Sequence, residues 1–359
     1  MRATVALGIA VWTGLAAVAA GEERASSPFG INIHLPYGHA LSPLLESVEE
    51  AGIGWVRIDV AWPEIEPTPG DYDWTRVDAL VAEARARGLE ILGILAYTPA
   101  WATDGPAGSG EPRDVGDWTR FCSTAAARYA GAIDVWEIWN EPNLPRFWVG
   151  TRNAWIESIL IPGADAVRAA NSRVRVAGPA LAHLRGRANW YGWLYEVLVR
   201  AGDRLDIVSH HLYAPSDSAV SEQLGSRTHF GDEPSLWIFA EPSVREVLAA
   251  AGWSGPFWLT ETGWEAQGAV EVFRAVSYRR LLEEWFTGRR GRGWIERIFF
   301  YELKDEGDSH WGILRADGRR KLAWFVYRDF IAVYARLAPR APSSPIDKVK
   351  RREHPRRGS

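Results

Sequence analysis

Strand-like apolar runs alternate with helical patterns along almost the whole chain, and this alternation is the strongest constraint on the fold. The runs are Phe29 to His34, Gly54 to Val60, Glu90 to Ala96, Ile133 to Trp139, Arg173 to Gly178, Leu205 to Leu212, Phe257 to Glu261 and Arg297 to Leu303. Helical stripes lie between them, such as Val77, Leu80, Val81 and Ala84 before Gly88. Alternating strands and helices build a parallel sheet with crossover helices. Eight such units close into a barrel whose active site lies at the carboxyl ends of the strands. The predicted fold is therefore α/β, a single (β/α)8 TIM barrel over residues 28–338. The first helix is expected to have Ser42 as its N-cap and Pro43 at its first position. Later helices are expected over Asn153 to Ala170, Trp190 to Ala201, Ser243 to Ala251, Val270 to Thr287 and Leu322 to Leu337. A long loop, about Tyr213 to Glu241, follows strand six.

Two strands end in a carboxylate. Strand four runs through Val135-Trp136-Glu137-Ile138-Trp139 and stops at Asn140-Glu141-Pro142, where proline cannot donate to a ladder. Strand seven, Phe257-Trp258-Leu259-Thr260, ends at Glu261-Thr262-Gly263-Trp264. One strand-end glutamate is usually solvated or caps a helix. Two of them, each on an apolar strand and flanked by tryptophan, are the parts that glycoside hydrolysis needs. An acid must keep its proton in dry surroundings, which Trp139 and Trp148 could give Glu141. A nucleophile must stay ionised, and Arg57 on strand two is the cation best placed to hold Glu261 so. Asn140 is placed to bond a sugar hydroxyl beside the reacting carbon. Glu137 shares the parity of Glu141 but lies about 13 Å deeper along the strand. There it reads as structural and needs an ion-pair partner.

The chain has 359 residues and 20 tryptophans. Exposed aromatic faces stack on sugar rings, although most of these residues are expected in the core. The formal charge is −4. The tail from Arg340 holds seven basic residues against two acidic ones, so the preceding body is more acidic than the total shows. An acidic body argues against a nucleic-acid partner. Residues 339–359, rich in Pro, Ser and basic residues, read as a disordered tail. Residues 1–20 read as a signal peptide, with Arg2, an apolar run from Val5 to Val18, and Ala17-Val18-Ala19 as the cleavage site. The mature chain is then secreted or periplasmic, without a membrane span, and is expected to act as a monomer. Cys122 is the one cysteine, so no internal disulfide can form. It lies in a helical pattern and reads as a buried thiol. The histidines lack metal-ligand spacing, and no metal or cofactor is called for. Strand seven ends in Glu-Thr-Gly-Trp where phosphate-binding barrels place a glycine-rich loop.

Trp139-Asn140-Glu141-Pro142 and Thr260-Glu261-Thr262-Gly263-Trp264 together resemble the clan A retaining glycoside hydrolases. Tyr97-Thr98-Pro99-Ala100-Trp101-Ala102 and the Trp136-Glu137-Ile138-Trp139 lead-in look most like glycoside hydrolase family 39, with family 5 as the close alternative. The resemblance implies Glu141 as acid/base, Glu261 as nucleophile, Asn140 on the sugar 2-hydroxyl and Arg57 behind Glu261. On strand six it implies His211 and Tyr213 near the nucleophile. Of the adjacent His210 and His211, alternation lets one face inward, and His211 is the choice. The clan's strand-eight tryptophan is absent, so Tyr301 or Trp311 would form the sugar platform. Trp101, Trp148, Trp264 and His34 complete the expected substrate contacts. The implied activity is retaining hydrolysis of an oligo- or polysaccharide through a glycosyl-enzyme, with action within an extracellular chain. A silent carbohydrate-binding barrel and a transglycosylase are the alternatives.

Overall fold

The computed structural model of the protein describes residues 27–34, 41–226, 231, 233–287 and 294–337. The segment read as a signal peptide and the basic tail lie outside the described residues. Eight parallel strands follow one another around a closed barrel: β1 (Phe29–Ile33), β2 (Trp55–Ala61), β3 (Glu90–Ala96), β4 (Val135–Ile138), β5 (Arg175–Ala182), β6 (Ile207–His211), β7 (Phe257–Thr262) and β8 (Ile295–Phe300). β1 pairs with β8 through Phe29 and Ile298, Gly30 and Phe299, and Ile31 and Phe300. Closure leaves no free edge.

The barrel interior is filled at its amino end by Trp55, Leu92, Val135, Ala177, Ile207, Trp258 and Phe299. Gly30 is needed in this layer, because a Cβ there would stand 2.3 Å from the Phe299 ring. The interior becomes polar one layer higher, where Asn32 faces Arg57 in register and Ile94 faces Glu137. The larger apolar core lies between the strands and the outer helices.

Several boundaries differ from the sequence expectation, each for a local reason. The first helix, Leu41–Glu50, already contains Ser42. Ser42 is therefore not its cap, and its hydroxyl accepts from Arg87 at 2.8 Å instead. The expected helix from Asn153 starts at Arg152 and changes to a π-helical turn over Ile156–Leu160 before continuing as Ile161–Ala170. The Ile161 N–H reaches the carbonyl five residues back. The wider turn makes room for Pro162, which has no N–H and would clash with the turn before it. β5 runs on past Gly178 through Pro179 to Ala182, with a register break between Pro179 and Leu181. The loop after β6 is not bare, because it holds a helix at Asp217–Gly225 and a 3-10 turn at Pro234–Leu236. The next helix, Val244–Ala250, opens with a full capping box between Ser243 and Glu246.

Candidate active site

The carboxyl end of β4 departs from strand geometry in a way that builds the site. Consecutive strand residues point to opposite faces, yet Asn140 and Glu141 both enter the same cleft. Trp139 has φ 72° and Glu141 has φ 44°, so two left-handed residues in three break the alternation. Such a backbone is unfavourable for non-glycine residues and persists when its surroundings fix it. Here the Trp139 N–H donates to Leu95, and its indole donates to the Phe147 carbonyl at 2.9 Å. The Glu141 N–H donates to the Ala180 carbonyl at 2.9 Å. Asn143 clamps Ala182, accepting from its N–H at 3.0 Å and donating to its carbonyl at 2.8 Å. The late stretch of β5 is thus the wall against which the Asn-Glu-Pro-Asn turn is set.

Arg57 lies at the centre. Its guanidinium carries five N–H donors, and each has an acceptor. Nε donates to Glu137 at 2.7 Å. Nη1 donates to Asn32 at 2.8 Å and to Glu261 at 2.6 Å. Nη2 donates to Asn140 at 3.0 Å and to His211 Nε2 at 3.2 Å. Glu137 therefore has the ion-pair partner its depth required. Asn140 spends its carbonyl on Arg57, which leaves its NH2 to donate into the cleft.

His211 is fixed by the same contact. A guanidinium can only donate, so Nε2 of His211 accepts and the neutral ring carries its proton on Nδ1. That N–H donates to Glu141 Oε1 at 3.0 Å and lies 3.5 Å from Glu261 Oε2. With Oε1 an acceptor, Glu141 Oε2 is the oxygen left to face the cleft. His210 faces the other way, against His183 at 2.9 Å and the Trp190 ring.

The Tyr213 hydroxyl donates to Glu261 Oε2 at 2.7 Å. Burial and the Glu261 carboxylate push that hydroxyl well above its ordinary range, so it remains a donor. Burial also pushes the Glu261 carboxyl up. The Arg57 guanidinium and the Tyr213 hydroxyl oppose it and hold Glu261 below the usual carboxylate range. Glu261 is thus kept ionised.

The donor atoms of Glu141, His211 and Glu261 lie within 4.8 Å of one another. Such a trio could ligate a cation. Arg57 occupies Glu261 Oε1 and His211 Nε2, while His211 Nδ1 lies between Glu141 Oε1 and Glu261 Oε2.

At the β1 side, His34 Nδ1 donates to Asp59 Oδ2 at 2.8 Å. Its Nε2 meets the Tyr301 hydroxyl at 3.1 Å and lies 3.7 Å from Glu302. Burial lowers His34, but the Asp59 bond and the Asp59, Glu302 and Glu261 charges raise it to about 9. Burial lifts Glu302 to about 7 against the pull of His34. Tyr301, Tyr213 and Trp311 form an edge-to-face cluster, with centroids 5.1 Å apart for Tyr213 and Trp311 and 6.1 Å for Tyr301 and Trp311. All three are half-buried. Both expected platform residues are therefore present together.

Three expected substrate contacts are tied into the loops by their indole N–H groups. Trp148 is buried, edge-on to Trp139, with its indole N–H on the Thr151 carbonyl. No face remains for a sugar, and its part is to support Trp139. The Trp101 indole N–H donates to the Glu66 carbonyl at 2.7 Å, and its ring meets Trp62. It joins the loops after β2 and β3. Trp264 donates to the Ala214 carbonyl at 2.7 Å, tying the loop after β7 to the loop after β6. The sequence reading passed over Asn32, Asp59, Asn143 and Glu302. Asn32 and Asp59 had a signal, since they alternate with His34 and Arg57 on strands already assigned.

Fold and site together are a (β/α)8 barrel with paired glutamates at the ends of β4 and β7 around a strand-two arginine. Comparison with known proteins narrows the class. The profile described as Glycosyl hydrolases family 39 matches residues 106–267, and a Beta-galactosidase profile matches residues 40–106. A beta-xylosidase of Caldicellulosiruptor saccharolyticus is 31% identical over 118 residues, which are 31% of this chain and 23% of that enzyme. A family 39 glycoside hydrolase from Bacteroides cellulosilyticus superposes with TM-score 0.67 at 18% identity, over 87% of this chain and 64% of the other. A monomeric beta-xylosidase from Caulobacter crescentus gives TM-score 0.64 at 21% identity, over 84% and 67% of the two chains. The chain thus spans less than two thirds of the Bacteroides enzyme. The expected resemblance to glycosyl hydrolases family 39 is borne out by the family profile and by the shared barrel of the family 39 structure. Among the described residues, no helix is long and apolar enough to cross a membrane.

Proposed function

We propose that the protein is a retaining glycoside hydrolase. The observation that carries this reading is the carboxylate pair, whose nearest oxygens lie within 4.8 Å. Retaining enzymes hold the two carboxyl groups about 5–5.5 Å apart, and inverting enzymes need about 6.5–9.5 Å to admit a water. Glu261 attacks the anomeric carbon with a carboxylate lone pair. The glycosidic C–O bond breaks, and the leaving oxygen takes the proton of Glu141 Oε2. Water then attacks the same carbon and gives its proton to the Glu141 carboxylate. The ester bond breaks, and Glu261 regains its electron pair. Asn140 offers its NH2 to the sugar hydroxyl beside the reacting carbon, and Tyr301 and Trp311 form the aromatic wall. The proposed substrate is a β-linked saccharide, in keeping with the β-xylosidases among the relatives. We further propose internal cleavage of a polysaccharide outside the cytoplasm. The structured loop after β6 and the half-exposed aromatic wall support a cleft, and the leader-like residues 1–20 support export.

Chemical rescue tests the assignments. Glu261→Gly and Glu141→Ala should both be inactive on aryl β-glycosides without added nucleophile. With azide, Glu261→Gly should yield the α-glycosyl azide and Glu141→Ala the β-glycosyl azide. The same azide anomer from both variants would refute the roles. Product chain lengths from a polysaccharide separate internal from terminal cleavage.

A further inference from the structure

Glu137 takes no part in the chemistry just described, yet it is fully buried in the barrel interior. Its Oε2 accepts from Arg57 Nε at 2.7 Å, and its Oε1 has no hydrogen-bond partner. Its charge is therefore directed at Arg57. The guanidinium thus sits between two carboxylates, Glu137 below and Glu261 above. Asp59, the one carboxylate of β2, is engaged by His34.

The two carboxylates differ in what happens to them. In the proposed cycle Glu261 loses its charge when it becomes an ester, while Glu137 keeps its own. During that interval the negative charge sits on Glu141, which reaches Arg57 only through the His211 ring. A buried cation without a direct partner is strongly unfavourable. We propose that Glu137 is the standing counter-ion of Arg57, a positioning residue that keeps the guanidinium neutralised while Glu261 is esterified and so stabilises the glycosyl-enzyme. The inference rests on the retaining reading above.

It makes a prediction that an ordinary structural role does not. Glu137→Gln keeps an acceptor for Nε and leaves Arg57 paired with Glu261 in the free enzyme. Forming the ester then strands the cation, and hydrolysing the ester restores its partner. Formation should slow and breakdown should quicken.

The probe is a set of 2,4-dinitrophenyl 2-deoxy-2-fluoro-β-glycosides (xylo, gluco, galacto and manno). Their leaving group departs without a proton from Glu141, so Glu137 is then the one ionised carboxylate in direct contact with Arg57. Inactivation is followed by dinitrophenolate release, and reactivation by recovery of activity after gel filtration. In Glu137→Gln we expect inactivation about tenfold slower and reactivation faster by a similar factor. Glu137→Asp, which keeps the charge, should hold the ratio of the two constants within about threefold of wild type. Both constants slowed alike in Glu137→Gln, or unchanged in it, would overturn the inference while leaving the mechanism intact. A ratio shifted as far in Glu137→Asp as in Glu137→Gln would also overturn it. Wild type that gains no covalent adduct by mass from any of the four probes would remove the retaining reading, and the inference with it.

Discussion

Tyr213→Phe isolates one contact of the nucleophile. The hydroxyl donates to Glu261 Oε2 at 2.7 Å, whereas the ring contact with Trp311 survives the change. A hydrogen bond to a charged group contributes about 1.5–3 kcal/mol. Glu261 is 8% exposed, so water does little to replace the lost donor. Arg57 at 2.6 Å remains and takes up part of the loss, which places the effect near the lower figure. About 1.4 kcal/mol corresponds to one pKa unit. The sign follows from the donor's preference for the ionised carboxylate: removing it raises Glu261 from its depressed position. Glu261 must be ionised to attack, so the acid limb of kcat/KM should move up by about one pH unit. The assay is kcat/KM for an aryl β-glycoside between about pH 4 and pH 9, wild type beside variant. An acid limb that stays in place or moves down would refute the role given to Tyr213.

Three further outcomes are expected. Trp148→Ala removes a buried indole that supports Trp139 and should cost about 3–5 kcal/mol by chemical denaturation. Trp311→Ala, at a half-buried rim position, should instead raise KM with little change in stability, and the reverse pattern would restore Trp148 to the sugar. Lys321→Met leaves Asp305 without the ammonium that donates to it at 2.6 Å; both groups are buried, so a loss of about 3–5 kcal/mol is expected, and an unchanged melting temperature would contradict it. His34→Gln tests the contact with Asp59. The His34 pKa is raised to about 9 in the folded chain, so its stabilisation is full below the unfolded value near 6.5 and fades as pH rises through about 9. The melting-temperature gap between wild type and variant should therefore be wide at pH 6 and closed by about pH 10, and a gap that widens with pH would reverse the assignment.

The barrel was legible because its signal is periodic and repeated, and a parallel strand followed by a helix leaves few alternatives. The carboxylate pair was legible because each member ends an apolar strand at a residue that cannot continue it. Alternation separated His211 from His210, and depth alone told that Glu137 would need a cation. What escaped the sequence was set by backbone conformations that residue identity does not announce. Neither Trp139 nor Glu141 is a residue type that favours positive φ, and their conformation depends on an extension of β5 that Pro179 argued against. The burial of Trp148 escaped the sequence for a related reason. An indole is equally suited to a sugar face and a core, and only the packed loops decide which it meets.

The five engaged donors of Arg57 carry an implication for how this site tolerates change. Asn32, Glu137, Asn140, His211 and Glu261 come from β1, the β4 strand and its end, β6 and β7, and each is held by the same planar group. Their energies are therefore not independent quantities. Once one substitution lets the guanidinium tilt, the remaining partners have already lost part of what they held, and a second substitution removes less than it would alone. Pairs of variants drawn from these five positions should be subadditive. A lineage that altered this site would have to move several strands together, because no member can be re-optimised while the other four stay still.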